Sequence, residues 1–138
     1  MSKGIRSKRY KESVNFEIKF YEGVLRNAPN FVEALALLGD LYTKTGRYKE
    51  GLYIDLRLAV LRPQEPIVLY NLACSYSLLN RIDYAFKTIK QAVKCGYDDF
   101  DYMQRDKDLT NLRQDRRFQK YLFRIKKKLS ASDRVDTD

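Results

Sequence analysis

The feature that most constrains this chain is an internal repeat. Residues 32–65 and 66–99 align without a gap, so that the second copy follows the first at an offset of 34 residues. The matched positions carry the same residue or one of similar size: Leu35 and Leu69, Leu38 and Leu72, Gly39 and Ala73, Tyr42 and Tyr76, Gly51 and Ala85. A period of this length is typical of stacked supersecondary units, each too small to bury its own apolar face. The repeat therefore predicts helical units packed side by side, which usually provide a binding surface and seldom carry chemistry.

Within and around the repeats, apolar residues recur at spacings of three and four, which predicts helices. Gly46, Asn80 and Gly96 follow three of these segments and favour helix ends, because glycine and asparagine tolerate the left-handed conformation. The expected helices run from about Tyr10 to Ala28, Phe31 to Thr45, Tyr48 to Leu61, Pro66 to near Asn80, Ile82 to Cys95 and Arg116 to Leu129. We expect residues 1–9 to be a disordered basic arm, residues 100–129 a C-terminal cap and residues 130–138 a disordered tail.

Composition limits the classes of protein that need to be considered. The 138 residues fit one domain, carry a net charge of +9 and include only two cysteines. No apolar run is long enough to span a bilayer, and no apolar segment follows the basic N-terminus as in a secretory signal. We therefore expect a cytoplasmic protein with both thiols reduced.

The repeated residues resemble the tetratricopeptide repeat (TPR) family. The first copy supplies the family's large, small and aromatic positions at Leu38, Gly39 and Tyr42, and its closing proline at Pro63. Residues 10–31 look like the second helix of a partial first repeat, and residues 96–118 are similar to the closing segment of many bacterial TPR proteins. The resemblance implies an all-α fold: antiparallel helix pairs in a right-handed superhelical stack, ending in a capping helix.

The resemblance also implies a site. In TPR stacks the first helix of each repeat lines a concave groove, where a peptide or helix of another protein binds. The residues expected to form this groove are Leu37, Asp40, Lys44, Tyr70, Asn71 and Cys74. The sequence leaves open whether the chain's own ends fill the groove.

Two further interpretations compete with a groove. Arg116, Lys120, Arg124, Lys127 and Lys128 share one side of the last helix with Phe123, as in proteins that contact nucleic acid or another polyanion. Alternatively, the chain is a self-assembling scaffold, because an array of fewer than about three repeats gains core by pairing.

Catalysis is disfavoured by the residues that are absent. The chain contains no histidine, and its two cysteines are not in a CxxC spacing. The acidic run from Asp98 to Asp108 lacks the glycine and glutamate of a calcium loop. We therefore expect a protein that is not an enzyme and that holds no metal or cofactor.

Overall fold

The computed structural model describes the backbone of residues 3–136 and the side chains of residues 7–132. The two terminal residues at each end, which belong to the expected arm and tail, lie outside the described residues. The helices are α1 (Lys3–Asn27), α2 (Val32–Lys44), α3 (Tyr48–Leu61), α4 (Pro66–Leu78), α5 (Ile82–Lys94), α6 (Phe100–Arg105), α7 (Thr110–Arg113) and α8 (Arg116–Asp136), with a 3-10 turn at Lys107–Leu109. Residues 3–136 contain no strand, so the expectation of an all-α fold is confirmed. None of these helices is both long enough and apolar enough to cross a membrane.

The helix ends in the repeats lie where the sequence places them. Gly46 and Gly96 adopt positive φ angles of 79° and 118°, and Asn80 adopts 57°. Each ends a helix by turning the backbone into the left-handed region, which costs glycine little and asparagine less than other residues. Pro66 is the first residue of α4, where its missing N–H leaves no hydrogen bond unmade.

The first and last helices of the chain are both longer than expected. Helix α1 begins at Lys3 where we expected a disordered arm through Arg9, and α8 continues to Asp136 where we expected a disordered tail after Leu129. Extending an existing helix costs far less than starting one. Each extension grows from a turn that is anchored in a core, at Val14 in α1 and at Leu122 in α8.

The chain divides into two compact units, Met1–Pro63 and Gln64–Asp138. In the first unit, α2 and α3 form a helical hairpin, and α1 packs on α2. The core holds Val14, Ile18, Leu25, Leu35, Leu38, Tyr42, Leu52, Ile54 and Leu58. The hairpin is tight because its glycines lack a side chain: a Cβ on Gly39 would lie 3.1 Å from both Ile54 and Asp55, and one on Gly51 would lie 3.0 Å from Thr43.

In the second unit, α4 and α5 form the equivalent hairpin, and residues 100–118, here called the returning segment, fold back over it. Four large side chains of this returning segment are completely buried: Met103, Leu109, Leu112 and Phe118. Asp99, Asp106 and Asp115 each accept a backbone N–H at the start of a helical turn. The aspartates of this region therefore cap helices, as the sequence favours.

Candidate functional site

Three of the six expected groove residues lie on α2 in the first unit. Leu37 is 48% exposed, and Asp40 and Lys44 form an exposed ion pair with a separation of 2.8 Å. The hydrogen bond to Asp40 raises the pKa of Lys44. Leu35, Leu38 and Tyr42 lie on the other side of α2 and are buried in the core. The side that carries Leu37, Asp40 and Lys44 is therefore open to contact.

The other three lie on α4 in the second unit, and only Asn71 is exposed. Tyr70 is 4% exposed and Cys74 is 6% exposed, which corrects the expectation that they contact a partner. The reason is the returning segment, which was expected only to cap the end of the stack. It packs its 3-10 turn and α7 against α4, so that two positions which face a groove in the repeat pattern become core.

A buried polar network fixes this covering segment. The Tyr70 hydroxyl donates to Asp106 Oδ2 at 2.7 Å, the Cys74 thiol lies 3.7 Å from the same oxygen, and the Tyr70 ring stacks on Tyr97 with centroids 4.1 Å apart. Nearby, the backbone N–H of Leu112 donates to Ser77 Oγ at 3.1 Å. These bonds join α4 to the returning segment, so the segment is held against α4 without a partner protein.

The two tyrosines of this network have raised pKa values. Burial, followed by the neighbouring Cys74 and Asp106, raises the pKa of Tyr70 well above its ordinary value. Burial likewise raises the pKa of Tyr97 to about 12. Both phenols therefore remain neutral at physiological pH, and a neutral phenol is a poor nucleophile or base. Among the described residues, no group of three potential metal ligands comes together.

The basic side of α8 is exposed, as the helical spacing predicts. Arg116, Lys120, Phe123, Arg124, Lys127 and Lys128 are all exposed. Two cations elsewhere on α8 are paired: Arg117 with Asp83 and Asp115, and Lys126 with Asp101. None of the five cations on the basic side has a carboxylate partner among the described side chains, so their charge is free to act on an approaching ligand.

A pocket in the first unit was not expected from the sequence. Its volume is about 500 Å³, and α1, α2 and α3 all contribute to its walls. The lining residues are Glu22, Leu25, Arg26, Leu38, Tyr42, Lys49, Glu50, Tyr53, Ile54 and Arg57. In the sequence, only Tyr53 and Arg57, which lie one turn apart on the outer side of α3, could have suggested this pocket. Such a pair is common on solvated helices.

Comparison with known proteins identifies the architecture. A solved structure, MamA 41-end from Desulfovibrio magneticus RS-1, matches 90% of this chain and 70% of its own with a TM-score of 0.71 and 18% sequence identity. MamA is a TPR-containing protein. This chain has a TPR-like fold. No family model matches it.

One curated protein shows a partial sequence similarity. The chain is 35% identical over 80 residues to a chloroplastic protein from Arabidopsis thaliana. The matched part is 56% of this chain and 24% of that protein, so the chain spans about a quarter of the relative's length.

Proposed function

We propose that this chain is a non-catalytic adaptor of the TPR family that binds a peptide or helix of another protein. The observation that carries the proposal is the surface of the first unit. Eight large apolar side chains are exposed there: Tyr10, Phe16, Phe20, Phe31, Leu37, Tyr53, Leu56 and Val60. Single exposed apolar residues are ordinary, but this many within one small unit favours contact with another chain. Cys74 and Cys95 of the second unit are not in a disulfide, which fits a reducing compartment such as the cytoplasm.

Helix α2 supplies the contact surface in this proposal. Leu37 offers apolar area, while the Asp40–Lys44 pair beside it offers a donor and an acceptor for a partner's backbone. Asn71, an exposed amide of the second unit, is a separate candidate contact. Tyr70 and Cys74 are excluded from the surface because the returning segment covers them.

A comparative capture experiment tests the proposal. Proteins retained by the immobilised 138-residue chain are quantified by mass spectrometry, and each is then purified and titrated against the wild type, Leu37→Glu and Tyr84→Glu. Tyr84 is the matched control, because it is a 59% exposed apolar residue on α5 of the second unit. A partner that binds the control normally and Leu37→Glu at least tenfold more weakly supports the α2 surface. Equal affinity for all three moves the site away from α2, and the absence of any partner that binds as a purified protein refutes the adaptor.

The unpaired cations of α8 favour a second candidate function, contact with a polyanion. Each phosphate that a cation neutralises on a single strand contributes about −0.7 to the slope of log K against log salt. Anisotropy of a labelled single-stranded RNA should therefore give a slope of about −3.5 if all five cations engage. In the variant Arg124→Glu with Lys127→Glu, the slope should weaken by about 1.4. The same charge change at Lys87 and Lys94, which are exposed on α5, is the control. A slope near zero removes this candidate.

A further inference from the structure

The pocket of the first unit has an apolar floor and polar walls. Leu38 and Ile54 are at most 4% exposed and close its base, together with Leu25 and Tyr42. Tyr53, which is 63% exposed, forms part of the wall. A volume of about 500 Å³ lies within the usual range for binding pockets, roughly 300–1,000 Å³, and can admit one or two large side chains.

The carboxylates around this pocket are already engaged by the protein. Glu50 accepts two hydrogen bonds from the Arg47 guanidinium, whose Nε lies 2.9 Å from Oε1. Glu22 lies beside the Tyr42 hydroxyl: burial raises the pKa of Tyr42, and the charge of Glu22 raises it further. Arg47 therefore neutralises Glu50, which leaves Glu22 as the one lining carboxylate without an ion pair among the described side chains.

The cations of the pocket, in contrast, keep their charge. Arg26 and Lys49 form no ion pair with any described side chain. Arg57 donates to the carbonyl oxygen of Pro29, a neutral group, and lies 5.9 Å from the centre of the Tyr53 ring. With Glu50 neutralised by Arg47, three cations face one carboxylate, and the pocket carries a local excess of positive charge.

We propose that this pocket is the specificity site of the adaptor: it takes a large apolar side chain of a partner peptide and pairs a neighbouring carboxylate of that peptide with Lys49 and Arg26. The inference rests on the proposed function, since it names the partner's chemistry, and it adds a specificity-determining contact between α1 and α3 to the Leu37 face of α2. The apolar floor removes the anchor side chain from water, and the cations select its acidic neighbour.

The pocket can be tested with a random peptide library, because the natural partner need not be known. A phage-displayed library of short random peptides is selected on the 138-residue chain, and enriched peptides are synthesised with a fluorescent label. Their affinities are measured by anisotropy for the wild type and three variants: Lys49→Glu, Tyr53→Ala and Lys19→Glu. Lys19 is the matched control, because it is an exposed lysine of α1 outside the pocket lining.

Two properties of the variants keep the result interpretable. Lys49 is exposed in the first turn of α3, where an acidic residue is favoured by the helix dipole, so its replacement should not unfold the unit. Tyr53→Ala removes the aromatic ring from the wall of the pocket and leaves the charge unchanged. We expect enriched peptides to carry Asp or Glu close to a large apolar residue. They should bind at least tenfold more weakly to Lys49→Glu and Tyr53→Ala, and within twofold of the wild type to Lys19→Glu.

Other outcomes overturn the inference in different ways. Peptides that bind all three variants equally but lose affinity for Leu37→Glu would leave the adaptor intact and refute the pocket. Failure to enrich any peptide above an unrelated control protein would refute both. If light scattering gives a dimer mass that Lys49→Glu reduces to that of a monomer, the occupant is a second copy of this chain and the acidic peptide is wrong.

Discussion

The substitution Tyr70→Phe tests whether this residue is buried, as in the structure, or exposed in a groove, as the repeat pattern predicts. It removes a single hydroxyl, the donor to Asp106 Oδ2 at 2.7 Å, and keeps the ring that stacks on Tyr97. A hydrogen bond to a charged group contributes about 1.5–3 kcal/mol. After the change, Asp106 Oδ2 keeps the Cys74 thiol at 3.7 Å, a weak donor. We therefore expect the free energy of unfolding to fall by about 2 kcal/mol.

The measurement is urea unfolding followed by circular dichroism. With an m-value of about 2 kcal/mol/M, the midpoint should fall by about 1 M. Tyr84→Phe is the matched control: it removes the hydroxyl of an exposed tyrosine on α5 whose ring stacks on Tyr76, and should change the unfolding free energy by less than about 0.5 kcal/mol.

A double-mutant cycle with Asp106→Asn assigns the loss to this one pair. If the hydroxyl and the carboxylate interact, the double variant should be more stable than the sum of the single changes predicts, by about 1 kcal/mol or more. A Tyr70→Phe variant as stable as the control, or a coupling energy of zero, would mean that the Tyr70 hydroxyl is exposed to water and is not bonded to Asp106. The returning segment would then be loose, and the expectation of an open groove on α4 would stand against the structure.

Two other predictions follow from the same structure. The pKa of Tyr97 is about 12 in the folded chain and about 10 when unfolded, so its stabilising contribution is complete below pH 10 and is lost as the pH rises towards 12. Urea unfolding at about pH 8 and about pH 11 should show a larger loss for the wild type than for Tyr97→Phe, and equal losses would contradict the assignment. Gly39→Leu should destabilise the first unit by about 2 kcal/mol or more, because even a Cβ would lie 3.1 Å from Ile54 and Asp55. Gly23→Leu on α1 is the control, since the nearest atom to its Cβ is the end of the Arg26 side chain at 3.3 Å.

The parts of the fold that follow from local sequence could be predicted well. Gly46, Asn80 and Gly96 end helices because of their own backbone preferences, and the structure gives all three a positive φ. Leu35, Leu38 and Leu69 are buried because the apolar side of a helix needs a neighbour, whichever neighbour it is. Such features depend on residues within about one turn, which is the range that a sequence pattern reports.

The candidate site was harder to predict because it depends on what covers a helix face. Tyr70 occupies a groove-facing position of its repeat, just as Leu37 does one place further along in the other copy. The periodicity assigns both to the same side of their helices. It cannot reveal that Asp106, 36 residues later, would bond to Tyr70, while Leu37 remains 48% exposed. The pocket was missed for the same reason, since its lining comes from three helices.

In the second unit a later segment of the chain covers α4, whereas the pocket of the first unit is open. This difference indicates where a selective partner should bind. In the second unit, the returning segment buries Met103, Leu109, Leu112 and Phe118 against the hairpin and satisfies the polar groups of α4 itself. A partner would have to displace these contacts, and with them the network at Asp106, before it could reach α4. In the first unit no described segment plays this part, and the pocket between α1 and α3 is open with its cations unpaired. Binding there costs no displaced contacts within the unit. Affinity for an acidic, apolar peptide should therefore be lost on changing Lys49 and Tyr53 while Tyr70→Phe, which alters only the closed unit, leaves it unchanged.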